Sequence, residues 1–456
     1  MAVVAGKNKY QMDMCHGPLK KQIITFAVPL IFTGLLQIFF HAADLMVVGR
    51  FASYRALAAV GATGSLTMLI INVFLGISIG TNVLVARYLG EKNRKAVSMT
   101  VHTALLSAVI GGIFLAIFGI SMARTFLTMM STPDDVIDMA TLYMQIYFSG
   151  MPIVLLYNYG SSIMRAAGDT KRPFYFLIIG GIINVLMNLF FVLCCGMDVG
   201  GVALATIISQ CVSVVLLLRS LQHMGNGCRF VFRKLRIDWK TLRDMLWLGV
   251  PAGFQASCFS LANILIQSSL NSFGSEVMAG SASATQWEGF LFVAAGALGN
   301  TMVSFVGQNL GGKQYRRIRE SIRYGFIFSI AVVFFLSMML LIFRESLLSM
   351  FNSDPNVIKY GVIRFFIALP FQWVCAVMEI ETGVLRGLGR SIGPTLIMIF
   401  GVCIFRIIWL CTIFRAVHTF YMLVWSFPIS WMIVAVTAGV YLYLVLKKYP
   451  KENMGH

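Results

Sequence analysis

Arg165-Ala-Ala-Gly168-Asp-Thr-Lys-Arg-Pro173 decides how the chain is organised, because it returns as Arg386-Gly-Leu-Gly389-Arg-Ser-Ile-Gly-Pro394. Arg, Gly and Pro are all displaced by 221 residues, and the same offset carries Leu89-Gly90-Glu-Lys92 onto Leu310-Gly311-Gly-Lys313. Pro29 falls on Pro251 at an offset of 222, and Thr132-Pro133 with Val136-Ile137 resembles Asp354-Pro355 with Val357-Ile358. One period sustained along a chain marks a duplicated unit. The halves run over residues 1–222 and 240–456, and a Gly-, Arg- and Lys-rich linker occupies 223–239.

The composition says where such a chain lives. Of its 456 residues, 58% are hydrophobic and 12% charged, far more apolar than a soluble domain. A membrane-spanning helix needs about 20 apolar residues. Twelve such stretches fall near 22–49, 56–86, 96–123, 135–164, 173–195, 200–222, 241–273, 277–307, 318–343, 356–385, 394–414 and 421–446. Each half holds six, an even number, so both enter the bilayer from the same side and the repeats are parallel. The expected fold is an all-α integral membrane protein, with twelve transmembrane helices in two pseudo-symmetric six-helix bundles.

A formal net charge of +18 could suggest nucleic acid, but the placement of the charges excludes that partner. Of the 36 Lys and Arg, 28 lie in the termini and in alternate loops. That is the positive-inside pattern, which expects a multi-pass protein of the cell membrane with both termini cytoplasmic. The polar, basic first 20 residues lead to the expectation of no cleavable signal peptide. The linker reads as a solvated segment and lipid anchor. Nine cysteines, an odd number without C-x-x-C spacing, indicate neither a disulfide framework nor a metal site.

Ionisable groups inside the spans are the candidates for function, because burial in hydrocarbon is costly unless they line a cavity or meet a partner. Only Asp44, Glu288, Glu379 and Glu381, of 18 acids, lie well inside spans. Thr33, Gln37, His41 and Asp44 form one polar stripe on the first span. Asn184 and Asn188 share a face of the fifth span at i, i+4. The repeat carries those asparagines onto Phe405 and Trp409, so the N-terminal polar set is unduplicated. Gln255, Asn263 and Gln267 form an amide stripe on the seventh span with no acid. Ser281, Thr285 and Glu288 share a face of the eighth, beside Trp287; Glu288 could face an organic cation or pair with Arg406 of the eleventh span. On the tenth, Gln372 and Glu379 share a face while Glu381 points nearly the opposite way.

Catalytic and nucleotide-binding patterns are missing, so the chain reads as no enzyme, and active transport would draw on an ion gradient. The segments Asp44-Leu-Met-Val-Val-Gly49-Arg50, Ala56-Leu-Ala-Ala-Val60-Gly61, Gly201-Val-Ala-Leu-Ala205-Thr206, Val306-Gly-Gln308-Asn309-Leu-Gly-Gly312 with Arg316-Arg317, and the Arg165–Pro173 repeat resemble the multidrug and toxic compound extrusion (MATE) family over essentially the whole chain. The resemblance implies two lobes around a central cavity that opens alternately to either side, exchanging a cationic amphipathic drug for H⁺ or Na⁺ without a cofactor. Proton coupling ranks ahead of Na⁺ here, and a monomer is expected. Asp44 matches the first-helix acid used for coupling in the DinF-like and archaeal branches, and Asn184 a polar partner. Asn188 stands where some members carry a second aspartate. Glu379 could stand for the tenth-helix acid of a Na⁺ site in the norfloxacin-extruding branch, and Glu288 resembles the eighth-helix acid; the seventh-helix acid is missing. Gln37, Gln255, Glu288, Glu379 and Glu381 are the candidates for the substrate cavity or a secondary cation site. The alternative is a lipid-linked oligosaccharide flippase of the same superfamily, which would show a more cationic cavity.

Overall fold

The computed structural model describes residues 11–51, 54–130 and 132–450, all of its regular structure helical. Residues 1–10 and 451–456, on which the expectation of cytoplasmic chain ends falls, lie outside the described residues. The spans are α1 (Leu19–Phe51), α2 (Tyr54–Gly90), α3 (Arg94–Met129), α4 (Asp134–Ser149 continuing as Met151–Ala166), α5 (Lys171–Cys194), α6 (Val199–Gln222), α7 (Trp239–Asn271), α8 (Ser275–Gly311), α9 (Tyr315–Ile342), α10 (Pro355–Gly387), α11 (Ile392–Phe414) and α12 (Phe420–Lys447). Among the described residues, eleven helices are long and apolar enough to cross a membrane singly; α4, bent by 47°, makes twelve if its two parts are one span.

The duplication is written into the backbone. α1 and α7 are each 33 residues long, α2 and α8 each 37. Gly168 and Gly389 both turn through positive φ, 87° and 76°, and Lys92 and Lys313 match at 55° and 54°. At Gly168 only hydrogen fits, because a Cβ would lie 2.3 Å from the Met12 carbonyl oxygen. α4 breaks at Gly150, just before Pro152, and α10 tightens into a 3₁₀ turn around Pro370, because a proline removes a helical N–H. α5 loosens into a π turn at Phe190–Cys194, and α11 does so at Leu410–Phe414, one residue short of the position the repeat gives, and again at Ile399–Ile404.

The chain divides into two compact units. One contains residues 11–14 and Val28–Gly253, the other Cys15–Ala27 and residues 254–450. The division therefore falls inside α1 and α7, beside Pro29 and Pro251, where the missing N–H weakens each helix. In the first unit, Gly76 and Gly80 of α2 face Gly249 and Gly253 of α7. A Cβ on Gly76 would lie 2.2 Å from the Gly253 nitrogen, and one on Gly80 2.3 Å from the Met245 oxygen. Small residues at i, i+4 on both helices allow backbones to touch, the usual basis of helix pairing in lipid. Exposed Ile117, Phe335 and Val436 belong to the apolar outer surface that such a bundle turns to hydrocarbon.

Candidate functional site

In the first unit, α1 and α5 bring the unduplicated acid and both asparagines together. Asn188 Nδ2 donates to Asp44 Oδ1 at 2.5 Å, and also faces Asn184 Oδ1 at 3.4 Å. Asn184 Nδ2 donates to Thr206 Oγ1 of α6 at 3.4 Å, and Thr206 donates onward to the Val202 carbonyl at 3.0 Å. Asn188 is wholly buried and its Oδ1 has no partner among the described residues, leaving an acceptor beside the carboxylate. Tyr143 and Tyr147 of α4, with rings stacked at 6.1 Å, lie within electrostatic reach of Asp44. An N–H held on a carboxylate is a charge-assisted bond, and protonating Asp44 would weaken it. The oxygens of Asp44, Asn184, Asn188 and Thr206 also form the hard donor set that a small cation accepts.

The rest of the α1 stripe stays apart. Thr33 Oγ1 donates to the Pro29 carbonyl at 2.7 Å, beside the helix proline, while Gln37 and His41 are exposed.

In the second unit, Glu288 is held by Arg364. The guanidinium grips the carboxylate with Nε at 2.9 Å and Nη2 at 2.7 Å, and its Nη1 donates to Ser281 Oγ at 2.9 Å. Trp287 turns elsewhere, its indole N–H on the Leu347 carbonyl at 3.1 Å. The partner of Glu288 is thus Arg364, not Arg406. Arg406, 1% exposed, instead donates to Ser430 Oγ at 3.1 Å and Asn263 Oδ1 at 3.4 Å, and stacks 4.3 Å from the Phe427 ring. Its Nη2 has no partner, and no ion pair engages it, among the described residues.

Gln255 is a strut. Its Oε1 accepts from Arg386 Nη2 at 3.1 Å and from Thr395 Oγ1 at 3.4 Å. Gln255 and Asn263 of the α7 amide stripe therefore each receive an arginine. Glu379 and Glu381 face different neighbours, as their spacing requires. A Cβ on Gly299 of α8 would lie 3.4 Å from Glu379 Oε2, and one on Gly439 of α12 2.9 Å from Glu381 Oε1. Among the described residues, Glu381 Oε2 is buried without a partner, and both amide atoms of Gln372 are too.

Sequence reading passed over Thr206, Tyr143, Tyr147 and Arg364. Thr206 sat inside a motif already singled out, and Arg364 was visible as a base within the tenth apolar stretch. The two tyrosines carried no signal, since aromatic residues are common in membrane helices.

Paired six-helix repeats with polar clusters buried among the helices define a multi-pass membrane transporter. The MatE family model matches the chain twice, at residues 29–190 and 251–412, and the chain belongs to that family. It is 30% identical to the probable multidrug resistance protein YoeA of Bacillus subtilis, over 83% of each chain. It is 24% identical to the FAD transporter of Shewanella oneidensis, over 79% of this chain and 80% of that one. An outward-facing multidrug resistance MATE transporter of the MOP superfamily superposes with a TM-score of 0.88 at 20% identity, covering 95% of this chain and 97% of the other. The protein is a transporter of small molecules of the multidrug-efflux kind and no enzyme.

Proposed function

We propose that the chain is a cation-coupled antiporter of the cell membrane, exporting cationic amphipathic drugs by alternating access, with H⁺ ahead of Na⁺ as the coupling ion. The observation that carries this reading is the Asp44–Asn188–Asn184–Thr206 network, where an acid, two amides and a hydroxyl from three helices meet. Protonation of Asp44 removes a charge and weakens the bond from Asn188. That changes how α1 seats on α5, with Pro29 as the weak point of its backbone. A cationic drug then competes with the proton for the deprotonated state. In a one-for-one exchange of H⁺ for a monocation no net charge crosses, so the pH difference is the drive: one pH unit supplies about 1.4 kcal/mol, a tenfold substrate gradient. The test is uptake of ethidium into proteoliposomes under pH and Na⁺ gradients imposed separately. The pH gradient alone should drive uptake; drive by Na⁺ alone would reassign the ion.

One observation favours a second reading. Arg406 is a buried cation without a carboxylate partner among the described residues, suited to a substrate that carries an anionic group. A lipid-linked oligosaccharide flippase would need such a charge, and a relative named for FAD also has a phosphorylated cargo. Transport of an anionic phosphorylated substrate in the same vesicles, lost in Arg406→Gln, would favour it over the drug antiporter.

A further inference from the structure

The linker between the halves is pinned down, where a solvated segment was expected. Val231 N–H donates to His102 Nε2 at 3.1 Å, and His102 Nδ1 donates to the Ser98 carbonyl at 2.7 Å. Asp238 N–H donates to Thr103 Oγ1 at 3.1 Å, and Phe230 N–H to the Leu221 carbonyl at 3.1 Å. Phe230 and Cys228 are buried. The fixed linker and the first turns of α3 together line an open cleft of about 700 Å³.

Six of the lining residues are Arg94, Lys95, Arg229, Arg233, Lys234 and Arg236, and no acid lines the cavity. Among the described residues, no ion pair engages any of the six. The nearest acid along the linker, Asp238, caps α7: the Thr241 hydroxyl and amide hydrogen-bond its carboxylate at 2.6 and 2.9 Å and, with the nearby charges of Arg236 and Lys240, hold its pKa below the ordinary value. The N-terminus of α3, with its partial positive charge, lies at the same place. Positive potential from six side chains on a fixed frame selects an anion of concentrated charge, such as a phosphate ester. Phe232, in a 3₁₀ turn of the linker between the lining residues Val231 and Arg233, is 66% exposed, and Trp239, the first residue of α7, is 76% exposed, a place where aromatic rings meet the headgroup region.

The repeat supplies an internal comparison. It carries Arg94 onto Tyr315, and there Tyr315 packs on Tyr449 at 5.9 Å, so the second unit fills the equivalent place with aromatic rings. A basic cluster that served topology alone would need neither a fixed frame nor a cavity.

We propose that this cavity is a binding site for the phosphate headgroup of an anionic phospholipid, with Phe232 and Trp239 against its acyl chains. The site is independent of the coupling scheme. The test is native mass spectrometry of the purified full chain titrated with phosphatidylglycerol or phosphatidylcholine. It would include Arg229→Gln/Arg233→Gln/Lys234→Gln/Arg236→Gln and an equal-charge control in the second unit, Arg323→Gln/Arg390→Gln/Lys447→Gln/Lys448→Gln. The linker variant should need at least about tenfold more phosphatidylglycerol for equal occupancy, with phosphatidylcholine unaffected and the control near wild type. Arg233→Glu, a single exposed change, gives the same readout if the fourfold variant fails to fold. Equal loss in both fourfold variants, or loss in neither, would overturn the site. Displacement of phosphatidylglycerol by millimolar pyrophosphate would overturn the lipid assignment in favour of a soluble phosphate ester.

Discussion

Asn188 donates to Asp44 across α5 and α1 at 2.5 Å, and in the second half the residue equivalent to Asn188 is Trp409, whose indole N–H goes to the Met422 carbonyl at 2.9 Å. One scaffold thus uses a single position as a carboxylate partner in one repeat and a packing anchor in the other. Asn188→Leu should keep the helix packed while removing the donor. Transport under an imposed pH gradient should fall several-fold, and stability by about 1 kcal/mol, the size of polar contacts between membrane helices. Vesicle uptake and thermal unfolding in detergent check the two parts.

The Glu288–Arg364 pair predicts asymmetry between single and double substitutions. Breaking a buried pair strands a charge and costs roughly 3–5 kcal/mol, whereas replacing both partners by apolar groups is often neutral. Glu288→Gln and Arg364→Met should each lower the unfolding temperature sharply. Glu288→Met/Arg364→Met should recover most of the loss.

Where α2 meets α7, glycine is required by distance. Gly80→Val would force a branched side chain toward a backbone oxygen 2.3 Å from the Cβ position, so the purified protein should lose its monodisperse elution. Gly289→Ala, with nothing within 4 Å, should elute as wild type.

Docking of the linker buries Cys228, and that burial pushes its thiol pKa up to about 12. Because the thiolate is the reactive form, a maleimide should leave Cys228 unmodified at pH 7 and modify it after unfolding, while exposed Cys195, just past the end of α5, reacts in the folded protein. Peptide mapping after labelling decides it.

Hydropathy and the 221-residue period made the twelve helices and the duplication legible, because both depend on local composition. The Asp44 cluster was legible for a related reason: an acid and an i, i+4 amide pair stand out against apolar helices, and the repeat showed them to be unduplicated. The choice of Arg364 over Arg406 for Glu288 was not, since it depends on how α8, α10 and α11 rotate about their axes. Nor could the sequence show the exchange of leading turns between the units, which depends on where α1 and α7 pack on either side of Pro29 and Pro251. The linker looked solvated because its charges dominate its composition, while the few residues that pin it, His102 and Thr103, lie on a distant helix.

The central claim is that Asp44 couples ion movement to export. The most direct measurement is ethidium uptake by proteoliposomes under an imposed pH gradient, comparing wild type with Asp44→Asn at matched protein incorporation. Asp44→Asn, neutral like the protonated acid, should bind ethidium more weakly and lose gradient-driven accumulation; accumulation at the wild-type rate would contradict the account.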